Sequence, residues 1–241
     1  MSKHSAVSRF RWQAAQKQAL EKWGRKNLQR ERERAERDLL PLLLRFAREY
    51  PNTASILEIG CGPVCVSQKL PQKNKTYLDP LLDDFRRMFP GKLPDGKYLT
   101  SGAERIDRPS ASYDLIICSH AISCSMNPEL IMHEMERLLK PNGRLILIMT
   151  THSGLEARLH YYAECCAPAL CHKTHPYYYS LTGIHRTLSR HFNIVQEMTR
   201  RTSLAWFPLL RRVERIFVCA LRQESINDEA IEINEAPDER C

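Results

Sequence analysis

The chain has 241 residues, 43% of them hydrophobic and 27% charged, which suits one full-size α/β domain that buries its core without disulfide or metal staples. No run approaches the ~18 apolar residues of a membrane span, and the basic start lacks an apolar h-region with a cleavage site, so a cytoplasmic protein with no membrane span is expected. The net charge of +8 is uneven: residues 1–45 hold twelve Lys/Arg against five Asp/Glu, and the stretch from Leu221 onward holds two against seven, so the positive field belongs to the N-terminal arm.

Residues 1–40 read as that arm, basic and helical, with "RERERAERD" at 30–38 mixing signs in a way that supports i,i+4 pairs on a solvated face. Pro41 ends this helix or starts the next, whose apolar stripe is Leu39, Leu43, Phe46, Ala47 and Tyr50. Five strand signals follow: "SILEIG" at 55–60, "KTYLDP" at 75–80, the weaker "GKYLT" at 96–100, "YDLIICS" at 113–119 and "RLILIMTT" at 144–151. Continuous apolar runs of this kind suit strands buried on both faces of a parallel sheet. Between the fourth and fifth, Asn127 caps a helix that opens on Pro128, buries Ile131, Met135 and Leu138, and stops at "KPNG", 140–143. A second capped helix follows Ser180 with Leu181, Ile184 and Leu188 on one face, and leads to strands "FNIVQEM" from Phe192 and "RIFVCALR" at 215–222. Residues 223–241 are acidic and lack aromatics, so disorder is expected there. The nine cysteines are odd in number and scattered, which points to free thiols in a reducing compartment.

The first strand runs into "GCG", 60–62, behind Glu58, so a ligand at the carboxyl end of that strand is expected. A dinucleotide fingerprint needs a third glycine at 65, where the chain has Cys65, so the pyrophosphate grip is missing. Asp79 ends the second strand, a place and spacing that suit a carboxylate accepting from both hydroxyls of a ribose. The site reads as one built for a nucleoside without phosphates.

"LEIGCGPV" at 57–64, "YLDP" at 77–80, "GAERID" at 102–107, "YDLIICSHAI" at 113–122 and "EMERLLKPNGRLIL" at 134–147 together resemble the successive motifs of class I S-adenosylmethionine-dependent methyltransferases. The resemblance implies a Rossmann-like α/β fold: a seven-stranded, mostly parallel sheet, helices on both faces, and the last strand inserted antiparallel beside strand five. It implies S-adenosylmethionine as cofactor, with Glu58, Gly60, Cys61 and Gly62 beside the methionine portion, and Asp79 on the ribose. Pro80, Ala103 and Glu104 would lie beside the adenine, and Ser119 and His120 beside the methionine tail. Val64, Gly102 and Cys124 depart from the family pattern, which usually has glycine, aspartate and often histidine at these places.

The domain proper is read as residues 41–222, with a lid at about 152–179. Cys165, Cys166, Cys171, His172 and His175 lack the paired spacing of a structural zinc site, so no metal is expected. An in-line transfer gains from alignment, from exclusion of water and, for a hydroxyl or thiol acceptor, from a base. His152 and His175 are the candidate catalytic bases. The arm, with Trp12, Gln16 and Trp23 near one face, reads as a cap over the site. The aromatic, neutral lid suits a small-molecule acceptor methylated at O or N, with no specific nucleic-acid partner, and a homodimer stays open. The competing readings are an RNA or protein methyltransferase, a non-catalytic cofactor-binding subunit, and a nicotinamide dehydrogenase, the last opposed by Cys65.

Overall fold

The computed structural model describes residues 7–166, 175–203 and 211–222. Residues 167–174, which include Cys171 and His172, lie outside the described residues, as do 204–210 and the acidic tail 223–241.

The arm forms two helices, α1 (Arg9–Gly24) and α2 (Leu28–Asp38). The continuous helical composition is broken because Gly24 ends the first and Asn27 caps the second, its side chain accepting from the Arg30 amide. Helix α3 (Leu40–Ala47) follows, with Pro41 in its first turn and Leu43, Phe46 and Ala47 buried. The remaining elements are β1 (Ser55–Ile59), β2 (Asn74–Leu78), α4 (Leu82–Met88), β3 (Lys97–Leu99), β4 (Tyr113–Ser119), α5 (Pro128–Leu138), β5 (Leu139–His152), α6 (Gly154–Cys166), β6 (Tyr179–Ser180), α7 (Leu181–His191), β7 (Phe192–Ser203) and β8 (Arg212–Leu221).

The sheet order is β3-β2-β1-β4-β5-β8-β7, with β6 on the end of β5. Strands from β3 through β5 are parallel, and β8 is inserted antiparallel between β5 and β7, in register from Leu145↔Cys219 to Thr151↔Val213. The expected fold class is therefore observed, with one added element. Strand β6, where the sequence shows only the end of the lid and the Ser180 cap, pairs parallel with Thr151 and His152.

Alternation along the strands divides the core. Leu57, Ile59, Ile116, Cys118, Leu145 and Leu147 pack with α5 and α7, whereas Ile56, Leu115, Ile117, Ile146 and Ile148 pack with α3. Asn127 and Ser180 cap α5 and α7 as their sequences predict, accepting from Glu129 and Leu130 amides and from the Gly183 amide respectively. Because the chain turns outward from β1 toward β2 on one side and β4 on the other, a crevice opens over the carboxyl ends of these strands.

Candidate active site

The turn after β1 is shaped by backbone conformation. Gly60 and Gly62 have φ of +69° and +53°, a region that side chains disfavour, and a Cβ on Gly60 would stand 2.7 Å from that of Ala121. The Gly60 and Cys61 amides both donate to Leu78 O, at 2.8 and 3.3 Å, which ties the turn to the end of β2. Cys65, at the place of the absent third glycine, takes the left-handed conformation itself (φ 49°).

Two carboxylates organise this turn. Glu58 is buried and its oxygens accept from the Val66 amide (2.9 Å), the Ser67 amide (2.9 Å) and Ser67 Oγ (2.5 Å), so its direct grip is on the loop. Burial pushes its carboxyl up to about 6 against these donors. Asp79 accepts from the Gly62 amide (3.0 Å) and the Leu81 amide (2.9 Å), joining the glycine turn to the start of α4. Its surroundings likewise push it up to about 6. Glu104 is committed to the Met126 amide at 2.7 Å and the Asn127 amide at 3.3 Å, at the entry to α5.

These groups line a cavity of about 630 Å³, within the range of small-ligand sites. Every residue expected beside the cofactor lies on it: Glu58, Gly60, Cys61, Gly62, Asp79, Pro80, Ala103, Glu104, Ser119 and His120. Trp12, Gln16 and Trp23 of α1 and Arg34 and Asp38 of α2 line its opposite side. Helix α1 lies over the turn, with Trp23 3.6 Å from the Cβ position of Gly62 and edge-on to Phe85. The helices are bonded down at several loops: Arg32 donates to Pro63 O at 3.1 Å, Gln16 to Cys124 O at 3.4 Å, and the Val7 amide to Met126 O at 3.0 Å.

The two candidate bases separate. His175 lines the cavity, its Nδ1 3.2 Å from Cys124 Sγ and 3.3 Å from Ser123 Oγ. Burial pushes the Cys124 thiol up to about 11, so it stays a thiol and the imidazole nitrogen can accept from it. His152 is not on the cavity. Its pairing in β6 carries it beside Tyr178, on which it stacks at 4.0 Å, and its Nδ1 is 3.1 Å from Glu156 Oε2. His160 stacks on the same tyrosine at 3.7 Å, and burial lowers the His152 pKa against the opposing pull of Glu156.

On the β5/β8 side the cavity holds residues the sequence reading passed over: Thr150, Arg200, Arg212 and Glu214. Glu214 Oε1 is 3.0 Å from His120 Nε2, and its other oxygen meets Arg200, which reaches Asp38 at 3.7 Å. Burial would raise the Glu214 pKa, but the His120 ring and the Arg200 guanidinium outweigh it and hold the carboxyl below its usual range. The signal that could have found these residues is the antiparallel run of β8, which brings its first residues, not its last, to the carboxyl ends of the parallel strands. Arg212 and Glu214 are two apart there and share a face. Among the described residues no cluster of His, Cys, Asp and Glu is arranged to hold a metal ion, and no helix is long and apolar enough to cross a membrane.

The chain has relatives among known proteins. A family model described as a methyltransferase domain matches residues 29–197. No curated protein matches the sequence. Among solved structures, the PH0226 protein of Pyrococcus horikoshii has a TM-score of 0.59 at 15% identity, over 83% of this chain and 93% of that one. A SAM-dependent methyltransferase of Methanosarcina mazei scores 0.55 at 14% identity, over 74% and 97% of the two chains. The 1,6-didemethyltoxoflavin-N1-methyltransferase of Burkholderia thailandensis, solved with 1,6-didemethyltoxoflavin and S-adenosylhomocysteine bound, scores 0.52 at 12% identity, over 76% of each chain. At these identities the structures attest the fold, and it is the family match, over more than half of the chain, that makes it a member of the methyltransferase-domain family: a class I S-adenosylmethionine-dependent methyltransferase.

Proposed function

We propose that the protein transfers a methyl group from S-adenosylmethionine to an O or N atom of a small molecule enclosed between the strand ends and helices α1 and α2. When bound, the cofactor supplies an electrophilic methyl on a sulfonium; the chain's own residues bind, align and exclude water.

The residues of the β1/β2 half fit that cofactor. Asp79 is a carboxylate with backbone donors and no ion pair among the described residues, so it retains acceptor capacity for two ribose hydroxyls. The glycine turn gives backbone without side chains beside it, and Glu58 keeps that turn in place through Val66 and Ser67. Ala103 and Pro80 supply apolar surface for a base, and Glu104 holds the loop that carries Ala103 to the entry of α5.

The observation that carries the small-acceptor reading is the roof. Helices α1 and α2 are bonded to the strand-end loops and line the side of the cavity opposite the glycine turn, and its volume of about 630 Å³ suits a small acceptor beside the cofactor. We read the arm, residues 1–40, as this cap. Acids are interleaved with its basic residues, and three of the latter are met within the arm: Lys26 by Glu31, and Arg34 and Arg37 by Asp38. That is unlike a stripe laid out for phosphates. The same fold serves a small acceptor in the Burkholderia thailandensis enzyme named above.

Incubation with methyl-labelled S-adenosylmethionine and a cell extract, followed by separation into small molecules, RNA and protein, tests the reading. Label in the small-molecule fraction is expected. Label confined to RNA or protein would replace it with the reading that the sequence pI of about 9.1 favours.

A further inference from the structure

We propose that His120, positioned by Glu214, removes the proton from the acceptor and that the acceptor atom is therefore a hydroxyl oxygen; this rests on the small-molecule reading above.

His120 has φ of 56°, a conformation a histidine keeps only when its surroundings hold it there. They do: its amide donates to Ile148 O at 2.8 Å, and its neighbours Ser119 and Ala121 face Gly60. The ring between them points the other way. It passes the end of β5 at Thr150 and meets Glu214, which is paired with Thr150 in the β5/β8 register. The left-handed turn thus places an imidazole at the border between the glycine-turn half of the cavity and the β5/β8 half.

Glu214 is 13% exposed and tethered at both oxygens, by His120 at 3.0 Å and by Arg200, which is itself braced by Asp38. A carboxylate so fixed accepts the Nε2 proton and thereby sets the tautomer, leaving the lone pair on Nδ1. No described group bonds to that Nδ1, and the side chain is 41% exposed on the cavity wall. Of the other candidates, His175 presents its Nδ1 to Cys124 and Ser123, and His152 is stacked away from the cavity.

Such a pair matters for a hydroxyl and little for an amine. A neutral amine attacks with its lone pair and can shed its proton to water afterwards, whereas a hydroxyl becomes a good nucleophile only as the proton leaves. In the step, the acceptor O–H proton passes to Nδ1 and the oxygen lone pair forms the bond to the methyl carbon. The carbon–sulfur bond breaks with its electron pair retained by sulfur, and the imidazolium, paired with Glu214, later returns its proton to solvent.

Two measurements test the proposal. In protein labelled with ¹⁵N-histidine, the ring signals assigned to His120 by their loss in His120→Gln are expected to show a protonated Nε2 and an unprotonated Nδ1, with the preference weakened in Glu214→Gln. A proton on Nδ1 in the wild type would overturn it whatever the acceptor is. In the labelled-methyl assay, an O-methyl product is expected, its rate falling at least ~100-fold in His120→Gln. S-adenosylhomocysteine affinity should fall far less than the rate does in that variant, and imidazole should restore part of the rate to His120→Gly. An N-methyl small-molecule product would overturn the hydroxyl assignment while leaving the proposed function standing. Label only in RNA or protein would instead remove that function.

Discussion

Asp79 is held in the crevice by two backbone amides while its surroundings push its carboxyl from 3.8 up to about 6. Since the folded pKa lies above the unfolded one, the ionised form is the costlier in the fold. The stability this group contributes is complete below the unfolded value and is lost as the pH rises through about 6. The rise from 3.8 to about 6 corresponds to about 3 kcal/mol, an upper figure because the group is partly accessible from the crevice. Glu58, pushed from 4.5 to about 6, acts in the same direction. Asp79→Asn removes the charge but keeps a single acceptor oxygen, so one of the Gly62 and Leu81 amides is left facing an NH2 donor, at a cost of about 1–3 kcal/mol that does not depend on pH. The charge shows in the pH dependence: relative to wild type, the variant is expected to gain about 1–1.5 kcal/mol between pH 5, where the wild-type carboxyl is largely protonated when folded, and pH 8. Urea denaturation of both proteins at the two pH values reads this directly. A stability difference that is equal at the two pH values, or that moves against the variant as the pH rises, would contradict the assignment. The expected outcome is the signature of a group retained for binding at the expense of stability.

Other outcomes follow from the same geometry. Gly60→Val sets a branched side chain in a left-handed turn already 2.7 Å from Ala121 at the Cβ position, so it should cost at least ~2 kcal/mol of stability and abolish S-adenosylhomocysteine binding, read by thermal melts and calorimetry. Deleting residues 1–24 removes α1, with Trp12, Gln16 and Trp23; small-molecule methylation should fall at least ~10-fold while the circular dichroism of the sheet domain persists. RNA binding, measured on filters, should be weak and unselective and should fall steeply with salt, whereas tight, salt-resistant binding to one RNA would contradict the small-acceptor reading.

The parallel core was legible because its strands are buried on both faces and so appear as continuous apolar runs, as in "YDLIICS", with Asn127-Pro128 and Ser180 marking helix starts. The glycine turn and Asp79 were legible as well, since a bare backbone turn and a strand-end carboxylate are local features. What stayed hidden depended on pairing. Strand β6 is two residues long, too short for any periodicity, yet it decides that His152 packs under Tyr178 and off the cavity. Glu214 and Arg200 appear in sequence as ordinary charges at strand ends, and only the antiparallel insertion of β8 turns them toward His120. Glu104 lines the cavity, and its bonds to the Met126 and Asn127 amides connect segments that stand apart in the sequence.

Calorimetric titration with S-adenosylhomocysteine at pH 8 and pH 5 reads whether the crevice over β1 and β2 binds the cofactor through an ionised Asp79. One site per chain is expected, with affinity falling by up to about tenfold per pH unit below 6, because the proton held by Asp79 must leave before two hydroxyls can donate to it. No binding at pH 8, or equal affinity at the two pH values, would contradict such binding.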